Sequence, residues 1–348
     1  MDKIHIYNLD LPELEEWVTS QGQPRFRAKQ IFSWLYKKRV VAFQDMTDLP
    51  NALREQLQQT FVIKSIKERL RQVSQKDGTT KFLLELFDGT TIETVLMPHS
   101  YGNSVCVSTQ VGCKMGCKFC ASTLGGLIRH LTAGEIIEEL MTVQLLLDER
   151  GERVSSVVLM GSGEPLENYD HSMKFIDIIT RPEGLQIGSR HITVSTVGLV
   201  PAIRRLADEK RQITLAVSLH APTDELRQSM MPINKAYSID ELMQACQYYF
   251  KTTGRRISFE YALIGGKNDS LQNARELAGL LSQIPCHVNL IPVNYVPERN
   301  FKRTPEDEIR AFVKELERNG VNATVRREMG SDIAAACGQL RAQQQGLV

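Results

Sequence analysis

From residue 104 onward, the sequence alternates between short apolar runs typical of buried strands and longer amphipathic stretches typical of helices. The predicted strands are 104–109, 155–161, 191–195, 213–219, 257–264 and 287–292. The predicted helices are 132–150, 169–180, 200–210, 238–253, 270–284 and 304–319, with N-caps at Thr132, Ser238, Ser270 and Thr304. Alternation of this kind favours parallel strands joined by crossover helices. Six repeats are too few for a closed eight-fold barrel, so we expect an α/β fold built as a partial (βα)6 barrel.

The first hundred or so residues follow other patterns. Residues 1–60 carry apolar side chains at helical spacing, with predicted helices at 11–17, at 27–36 and after Pro50. Residues 61–103 change to a period of two, and Asp88-Gly89 between the runs 81–87 and 90–96 predicts a β-hairpin. We therefore expect a small N-terminal helical domain at 1–60, a connecting hairpin region at 61–103 and the barrel core at 104–348.

Size and charge limit the function classes. A chain of 348 residues can bury a large core, and a net charge of +1 argues against a histone-like nucleic-acid binder. Positive charge is nevertheless concentrated between Arg25 and Arg39, which makes the helical domain the best candidate for holding a polyanion, although such runs also occur as solvated faces. The sequence shows no leader pattern and no apolar run of membrane-spanning length, so we expect a cytoplasmic protein.

Three cysteines, Cys113, Cys117 and Cys120, occur within eight residues just after the first predicted barrel strand. A structural zinc site needs four protein ligands, and the nearest histidine, His130, lies ten residues further on. A [4Fe–4S] cluster takes one thiolate per iron, so three thiolates leave one iron open to another ligand. This spacing resembles the cluster motif of radical S-adenosylmethionine (SAM) enzymes, in which SAM binds the open iron. On the residues alone, zinc remains the alternative.

Polar residues follow several of the other predicted strands. In α/β folds, ligands gather at the carboxyl ends of the strands. The polar strand ends here include Gly163 and Glu164, Ser195, Ser218 and His220, and Asn294. Glycines let a ligand approach the main chain, and the Glu164 carboxylate can accept a hydrogen bond from an ammonium group. Together with the cysteines, these strand ends predict a SAM pocket.

For other candidate site residues, the local sequence pattern leaves the role ambiguous. Periodicity favours Glu93 as an ordinary solvent-facing carboxylate in the second hairpin strand. Cys246 and Cys286 match apolar core positions, and Cys337 matches a helix-packing residue. Cys106, seven residues before the first cluster cysteine, is expected near the site.

Several motifs in the same order resemble the RlmN/Cfr family of radical SAM RNA methyltransferases. These motifs are VGCKMGCKFC at 111–120, GSGEP at 161–165, VSLHAP at 217–222, MPIN at 231–234, VNLIPVN at 288–294 and ACGQL at 336–340. The resemblance implies that Cys113, Cys117 and Cys120 bind a [4Fe–4S] cluster. It also implies that the SAM contacts are Gly163, Glu164, Ser195, Ser218, Leu219, His220 and Asn294.

The resemblance implies methylation of adenine C2 in 23S rRNA, in the peptidyl-transferase centre, and in tRNA, 3′ to the anticodon. Because C2 is not nucleophilic, Cys337 is implied to take a methyl group from one SAM. A second SAM then yields a 5′-deoxyadenosyl radical, which activates that methyl group for addition to C2. Glu93 is implied to accept the proton, and Cys106 to release the product through a transient disulfide with Cys337. A reductant such as flavodoxin or ferredoxin is implied as a partner, and a monomer is expected.

Two alternatives remain. In the first alternative, the chemistry is the same but the product is 8-methyladenine, as in Cfr. In the second, which belongs to a different class, the chain is a non-catalytic zinc-ribbon RNA-binding protein. The chain departs from the family pattern at Ser162, where Met or Ile is usual, at Val197, where Ser or Thr is commoner, and at Ala334, which replaces an aspartate. The first two changes are expected to be tolerated, whereas the third affects the segment before Cys337.

Overall fold

The computed structural model describes residues 3–336 and 338–340. Its N-terminal part consists of three helices flanked by two short parallel strands: β1 (Ile4–His5), α1 (Leu11–Ser20), α2 (Phe26–Tyr36), α3 (Asn51–Thr60) and β2 (Phe61–Val62). Helix α1 begins with a capping box, in which the side chains of Asp10 and Glu13 each accept from the other's main-chain amide. The three helices confirm the prediction, whereas the β1–β2 pair is too short to show a period in the sequence.

The next segment adds antiparallel strands to the edge of the barrel sheet. Its strands are β3 (Lys67–Val73), β4 (Thr80–Glu85) and β5 (Thr91–His99), and β5 pairs antiparallel with β6 (Gly102–Cys106). Strands β4 and β5 are the predicted hairpin, and β3 is an additional strand. The hairpin is therefore continuous with the barrel sheet through the β5–β6 pair.

The rest of the described chain alternates strands and helices, after a small separate pair formed by β7 (Gln110–Gly112) and β8 (Leu127–His130). The elements that follow are α4 (Ala133–Asp148), β9 (Val154–Leu159), α5 (Tyr169–Thr180), β10 (Ile192–Thr196), α6 (Val200–Asp208), β11 (Thr214–Ser218), α7 (Asp224–Met230), α8 (Ile239–Thr253), β12 (Ile257–Leu263), α9 (Leu271–Leu281), β13 (Cys286–Pro292), α10 (Glu306–Arg318) and β14 (Ala323–Val325). Strands β6 and β9 to β14 are parallel neighbours in a ten-stranded sheet. Each predicted strand and helix of the barrel is present.

Several details of the barrel differ from the sequence prediction, and one of them is the short helix α7, which is additional. Strand β14 adds a parallel strand beyond the six predicted ones, and its three residues are too few to show alternation. Thr304 is not the N-cap of α10, because that helix starts one residue later, after Pro305. The Thr304 hydroxyl instead donates to Asp269 Oδ2, at 2.9 Å. The caps predicted at Thr132, Ser238 and Ser270 are confirmed, each within a capping box.

A buried carboxylate joins the N-terminal part to the barrel. Glu138 on α4 accepts hydrogen bonds from the amides of Ser65 (2.7 Å) and Ile66 (2.8 Å), and its Oε2 lies 2.5 Å from His5 Nε2. Burial alone would raise the pKa of Glu138, but the hydrogen bonds from His5, Ile66 and Ser65 outweigh it and lower that pKa. The first strand is thereby tied to a barrel helix. Among the described residues, the structure contains no helix with the length and apolar character needed to span a membrane.

Candidate active site

The cysteine loop is held at its base by two glycines. It connects β7 to β8, and the amide of Cys113 donates to the carbonyl oxygen of Gly126, at 2.9 Å. Gly112 has a φ of +75°, and a Cβ on it would lie 2.0 Å from that same oxygen. Only glycine fits at position 112, because both the backbone conformation and the close approach exclude a side chain.

Cys113, Cys117 and Cys120 line one pocket at the carboxyl ends of the barrel strands. Cys113 and Cys117 are buried and Cys120 is partly buried. Burial raises the pKa of the Cys113 thiol to about 12 and that of Cys117 well above its ordinary value. Without a positively charged centre, these two thiols therefore stay protonated at neutral pH. Ligation of iron supplies that charge and favours the thiolates.

The donor set fits an iron–sulfur cluster better than a single metal ion. In the described part of the chain, no group of three His, Cys, Asp or Glu side chains is placed to hold one metal ion. A [4Fe–4S] cluster does not require convergence on one point, because each thiolate binds a different iron. Three thiols that line one pocket together with several polar groups therefore match a cluster with one iron left for SAM.

Gly163 and Glu164 form the wall that follows β9. Gly163 has a φ of +111°, and a Cβ there would lie 2.7 Å from the side chain of Gln110. Glu164 is buried, and its carboxylate accepts from the amides of Leu166 (3.0 Å) and Val197 (2.8 Å). Burial raises the pKa of Glu164 to about 7 despite these hydrogen bonds. A ligand ammonium group beside this carboxylate would supply the opposite charge that a buried carboxylate needs.

His220 contributes a neutral imidazole to the same pocket. Its Nδ1 accepts from the amide of Ala262 at 2.8 Å, and burial lowers the pKa of His220 to about 3. The proton of the neutral ring therefore resides on Nε2, which leaves a donor beyond the Nδ1 contact. Asn268 supports this arrangement by donating to the carbonyl oxygens of His220 (2.8 Å) and Ala262 (2.6 Å).

The predicted SAM contacts converge, with one exception. The pocket that holds the three cysteines is also lined by Gly163, Glu164, Ser195, Ser218, His220 and Asn294. The side chain of Leu219 is fully buried in the hydrophobic core and is not among the lining residues. Its role as a SAM contact stays a prediction.

One buried arginine, which the sequence pattern does not single out, holds the strand ends in place. Arg227 on α7 has a fully buried side chain, and burial lowers its pKa to about 10. Its guanidinium donates to the carbonyl oxygens of Val197, Ser218 and Leu219 and to Asn234 Oδ1. Arg227 lies in an ordinary amphipathic pattern that does not distinguish it from an exposed arginine. The only hint in the sequence is its partner Asn234, which belongs to the MPIN motif.

Glu93 lies inside the barrel sheet rather than facing solvent. Its side chain is 3% exposed, and its Oε1 lies 3.0 Å from the ammonium group of Lys81 on β4. The solvent-facing interpretation from periodicity is therefore wrong. Strand β5 is covered on both faces, and Glu93 shares the face of Val95, which lies opposite Cys106.

Cys106 lines a second pocket next to the cysteine-loop pocket. The two pockets share several lining residues: Met160, Ile291, Asn294, Arg326 and Leu340. Ala335 and Ala336 line the Cys106 pocket, and Gly338 lines the pocket of the cluster cysteines. Cys337 itself lies outside the described residues. Its two chain neighbours thus border the two adjoining pockets.

Comparisons with known families cover both parts of the chain. Residues 4–63 match the family described as "Ribosomal RNA large subunit methyltransferase N-terminal domain". Residues 107–278 match the family described as "Radical SAM superfamily". The second match includes the three loop cysteines and the GSGEP and VSLHAP motifs.

The chain is also similar to individual proteins over nearly its whole length. A Geobacillus kaustophilus protein named "Probable dual-specificity RNA methyltransferase RlmN" is 60% identical over 97% of this chain and 93% of its own length. A Bacillus subtilis protein of the same name is 59% identical over the same shares. The crystal structure of a radical SAM methyltransferase from Sphaerobacter thermophilus superimposes with a TM-score of 0.94, at 47% identity, over 97% of this chain and 99% of that chain. The chain therefore belongs to the RlmN family of radical SAM RNA methyltransferases, whose cofactors are a [4Fe–4S] cluster and SAM.

Proposed function

We propose that this enzyme methylates C2 of adenine in 23S rRNA and in tRNA, in the cytoplasm, and that it consumes two SAM molecules per turnover. The observation that supports this most directly is the adjacency of the two pockets. The cysteine-loop pocket and the Cys106 pocket share a wall, and the residues on either side of Cys337 border one pocket each. Adjoining pockets suit a reaction in which the cofactor occupies one pocket and the RNA base the other, and Gly338 and Ala336 place the chain on either side of Cys337 at their border.

Each pocket has its own proposed task. Cys113, Cys117 and Cys120 hold the cluster, which when bound supplies the electron that cleaves SAM reductively. The proposed SAM contacts are Gly163, Glu164, Ser195, Ser218, Leu219, His220 and Asn294. Of these residues, Glu164 would accept from the ligand's ammonium group, and His220 Nε2 would donate to an acceptor atom elsewhere on the ligand. Arg227 acts indirectly, because it fixes the carbonyl groups on which Ser218 and Val197 depend for their positions.

The residues around the Cys106 pocket handle the RNA chemistry. Cys337 carries the methyl group as S-methylcysteine. This group would lose one hydrogen atom to the 5′-deoxyadenosyl radical, and its carbon would then bond to C2, joining the base to Cys337 through a methylene bridge. The adduct would return one electron to the cluster and give its C2 proton to Glu93. The Cys106 thiolate would then attack the sulfur of Cys337, so that the S–C bond breaks, a Cys106–Cys337 disulfide forms and the released carbon takes up a proton to complete the methyl group. Supporting these roles, Glu93 is buried beside Lys81, and Cys106 is on the strand next to Glu93.

RNA binding is assigned to the N-terminal residues 1–60. Arg25, Arg27 and Lys38 lie on or beside α2, and the ring of Phe26 is 54% exposed, with the Arg27 guanidinium stacked over it. Cations and an exposed ring suit phosphates and unstacked bases, and binding should weaken steeply with salt. Residues 61–103 then connect this domain to the core at 104–348. We further propose that the enzyme is a monomer and that a flavodoxin or ferredoxin is its electron donor.

The proposed function is tested in cells with and without the gene. RNA is digested to nucleosides, and chromatography with mass spectrometry separates 2-methyladenosine from 8-methyladenosine. The proposal predicts loss of 2-methyladenosine from rRNA and tRNA, restored by the wild-type gene and not by Cys337→Ala. Loss of 8-methyladenosine would assign the Cfr-like product instead. Absence of any change in methyladenosine would refute the assigned substrate. The zinc-ribbon alternative predicts a colourless protein that contains zinc and no iron.

A further inference from the structure

The turn between β3 and β4 holds the chain segment that precedes Cys337. Asp332 accepts from the hydroxyl of Ser74 (2.7 Å) and from the amide of Gln75 (3.0 Å). In the opposite direction, the amide of Gly330 donates to Asp77 Oδ2, at 3.0 Å. Although partial burial acts against it, hydrogen bonds from Thr79 and Gly330 lower the pKa of Asp77 to about 2, so this carboxylate is ionised under all ordinary conditions.

The fit between turn and segment is also steric. Gly330 has a φ of +62°, and a Cβ there would lie 2.8 Å from Cγ2 of Thr79. The amides of Ile333 and Ala335 both donate to the carbonyl oxygen of Gly330. Residues 330–335 therefore form a compact turn of their own, and one side of it is pressed against the β3–β4 turn.

Lys81 connects this segment to Glu93. Its ammonium group lies 3.0 Å from Glu93 Oε1 and donates to the carbonyl oxygen of Ala334, at 3.2 Å. The Lys81 side chain is only 11% exposed, so few of its donors can be satisfied by bulk water. A buried carboxylate loses its hydration and needs an opposite charge. One ammonium group thus supplies that charge and also holds the main chain three residues before Cys337.

A second set of contacts fixes the residues after Cys337 to the cysteine loop. The carbonyl oxygen of Gly338 accepts from the amide of Ala121 (2.8 Å), and that of Leu340 accepts from the hydroxyl of Ser122 (2.6 Å). Residues before Cys337 are therefore attached to Lys81 and to the β3–β4 turn. Residues 338–340, after Cys337, are attached to the cysteine loop.

We propose that Lys81 is a positioning residue, which keeps the carboxylate of Glu93 and the main chain at Ala334 in a fixed relation to each other. The turn at residues 74–79 anchors the segment on which this relation depends. The inference rests on the proposed function, in which Glu93 and Cys337 act on the same RNA base. Lys81 contributes no atoms to the reaction. Its role is to place the proton acceptor where the covalently held base will be.

The test compares Lys81→Met and Lys81→Arg with Lys67→Met, a control that removes an exposed lysine from the neighbouring strand β3. The full chain is reconstituted with its cluster, supplied with SAM and RNA, and analysed for methylated nucleoside and for protein covalently joined to RNA. Lys81→Met is expected to accumulate the joined species while product falls about tenfold or more. Lys81→Arg should restore turnover because it keeps a cation at this position, and Lys67→Met should match the wild type.

A second readout does not depend on activity. Hydrogen exchange of the Gly330, Ile333 and Ala335 amides, measured in the chain without RNA, should be about tenfold faster in Lys81→Met than in the wild type or Lys67→Met. Wild-type turnover together with wild-type exchange in Lys81→Met would overturn the proposal. Loss of both product and joined species, accompanied by a lower melting temperature, would reduce Lys81 to a structural role and overturn it too. If the wild-type enzyme formed no 2-methyladenosine, the proposed function would fail, and the exchange rates alone would decide the Lys81 link.

Discussion

The guanidinium of Arg227 donates to the carbonyl oxygen of Val197 at 2.6 Å, which joins α7 to the loop after β10. Val197 in turn donates its amide to Glu164, at 2.8 Å. A fully buried cation thus holds the loop that orients the carboxylate proposed to bind SAM. Two of its other acceptors, the carbonyl groups of Ser218 and Leu219, belong to the adjacent strand end.

Replacing Arg227 should destabilise the whole barrel mouth. Arg227→Met retains apolar volume but leaves several buried oxygens without a donor, and each such group costs about 1–3 kcal/mol. We expect the free energy of unfolding to fall by about 3 kcal/mol or more. Urea unfolding of the chain without cluster measures this change, with Gln228→Met on the exposed face of the same helix as the control. A loss no larger than that of Gln228→Met would contradict the assigned role.

Gly112→Ala should impair cluster assembly. An alanine Cβ would lie 2.0 Å from the carbonyl oxygen of Gly126, and a left-handed conformation costs an L-residue about 1–2 kcal/mol. Because Cys113 follows directly and bonds to that same carbonyl, the first thiolate is expected to move. Iron per chain after anaerobic reconstitution should drop well below the wild-type value. Gly125→Ala, where an added Cβ meets open space, should keep its iron.

Stability should depend on the ionisation of Glu138. Its pKa is lowered in the folded chain from the ordinary value of 4.5, so its contribution is fully present above that value and is lost as pH falls through the lowered pKa. At neutral pH, Glu138→Gln should lose about 1–3 kcal/mol of unfolding free energy, and the gap to the wild type should close on acidification. Urea titrations at several pH values measure both effects. Glu149→Gln, at the exposed end of the same helix, serves as the control. A gap that is independent of pH would contradict the argument.

Ala334 is strained, and relieving the strain should stabilise the segment before Cys337. Its φ of +49° falls in the left-handed region, which glycine adopts at no steric cost and aspartate tolerates better than alanine does. Ala334→Gly or Ala334→Asp should therefore slow hydrogen exchange at Ile333 and Ala335 by several-fold, corresponding to about 1 kcal/mol. Ala335→Gly, at a neighbouring buried position without positive φ, should speed it. Faster exchange in both Ala334 variants would show that the conformation is not strained.

Local signals in the sequence were sufficient for the six predicted strands and six predicted helices of the barrel. Strands and helices of the core are long and periodic, so their order along the chain followed from the alternation alone. Because alternation implies parallel strands, it also predicted the edge of the sheet at which the polar strand ends meet. The capping boxes at Thr132, Ser238 and Ser270 were equally local. The cysteine loop and the pocket residues then needed only the rule that ligands gather at the carboxyl ends of the strands.

Contacts between distant parts of the chain were not predictable in this way. Periodicity favours Glu93 as solvent-facing because a period of two cannot show that Ala335 and Leu340 cluster with Val95, on the same face of β5. The local pattern could not single out Lys81 or Arg227, because each donates to main-chain carbonyl groups whose positions exist only in the folded chain. Strand β14 and the β1–β2 pair are too short to be recognised without the strands they join.

The adenine atom that receives the methyl group can be identified directly in one measurement. The purified enzyme, reconstituted anaerobically with its cluster, is incubated with SAM, a reductant and an RNA fragment that contains the target adenosine. The nucleosides are then separated by chromatography and identified by comparison with 2-methyl- and 8-methyladenosine standards. We expect 2-methyladenosine with the wild type and none with Cys337→Ala. Accumulation of 8-methyladenosine, or an equal yield of 2-methyladenosine from Cys337→Ala, would contradict this expectation.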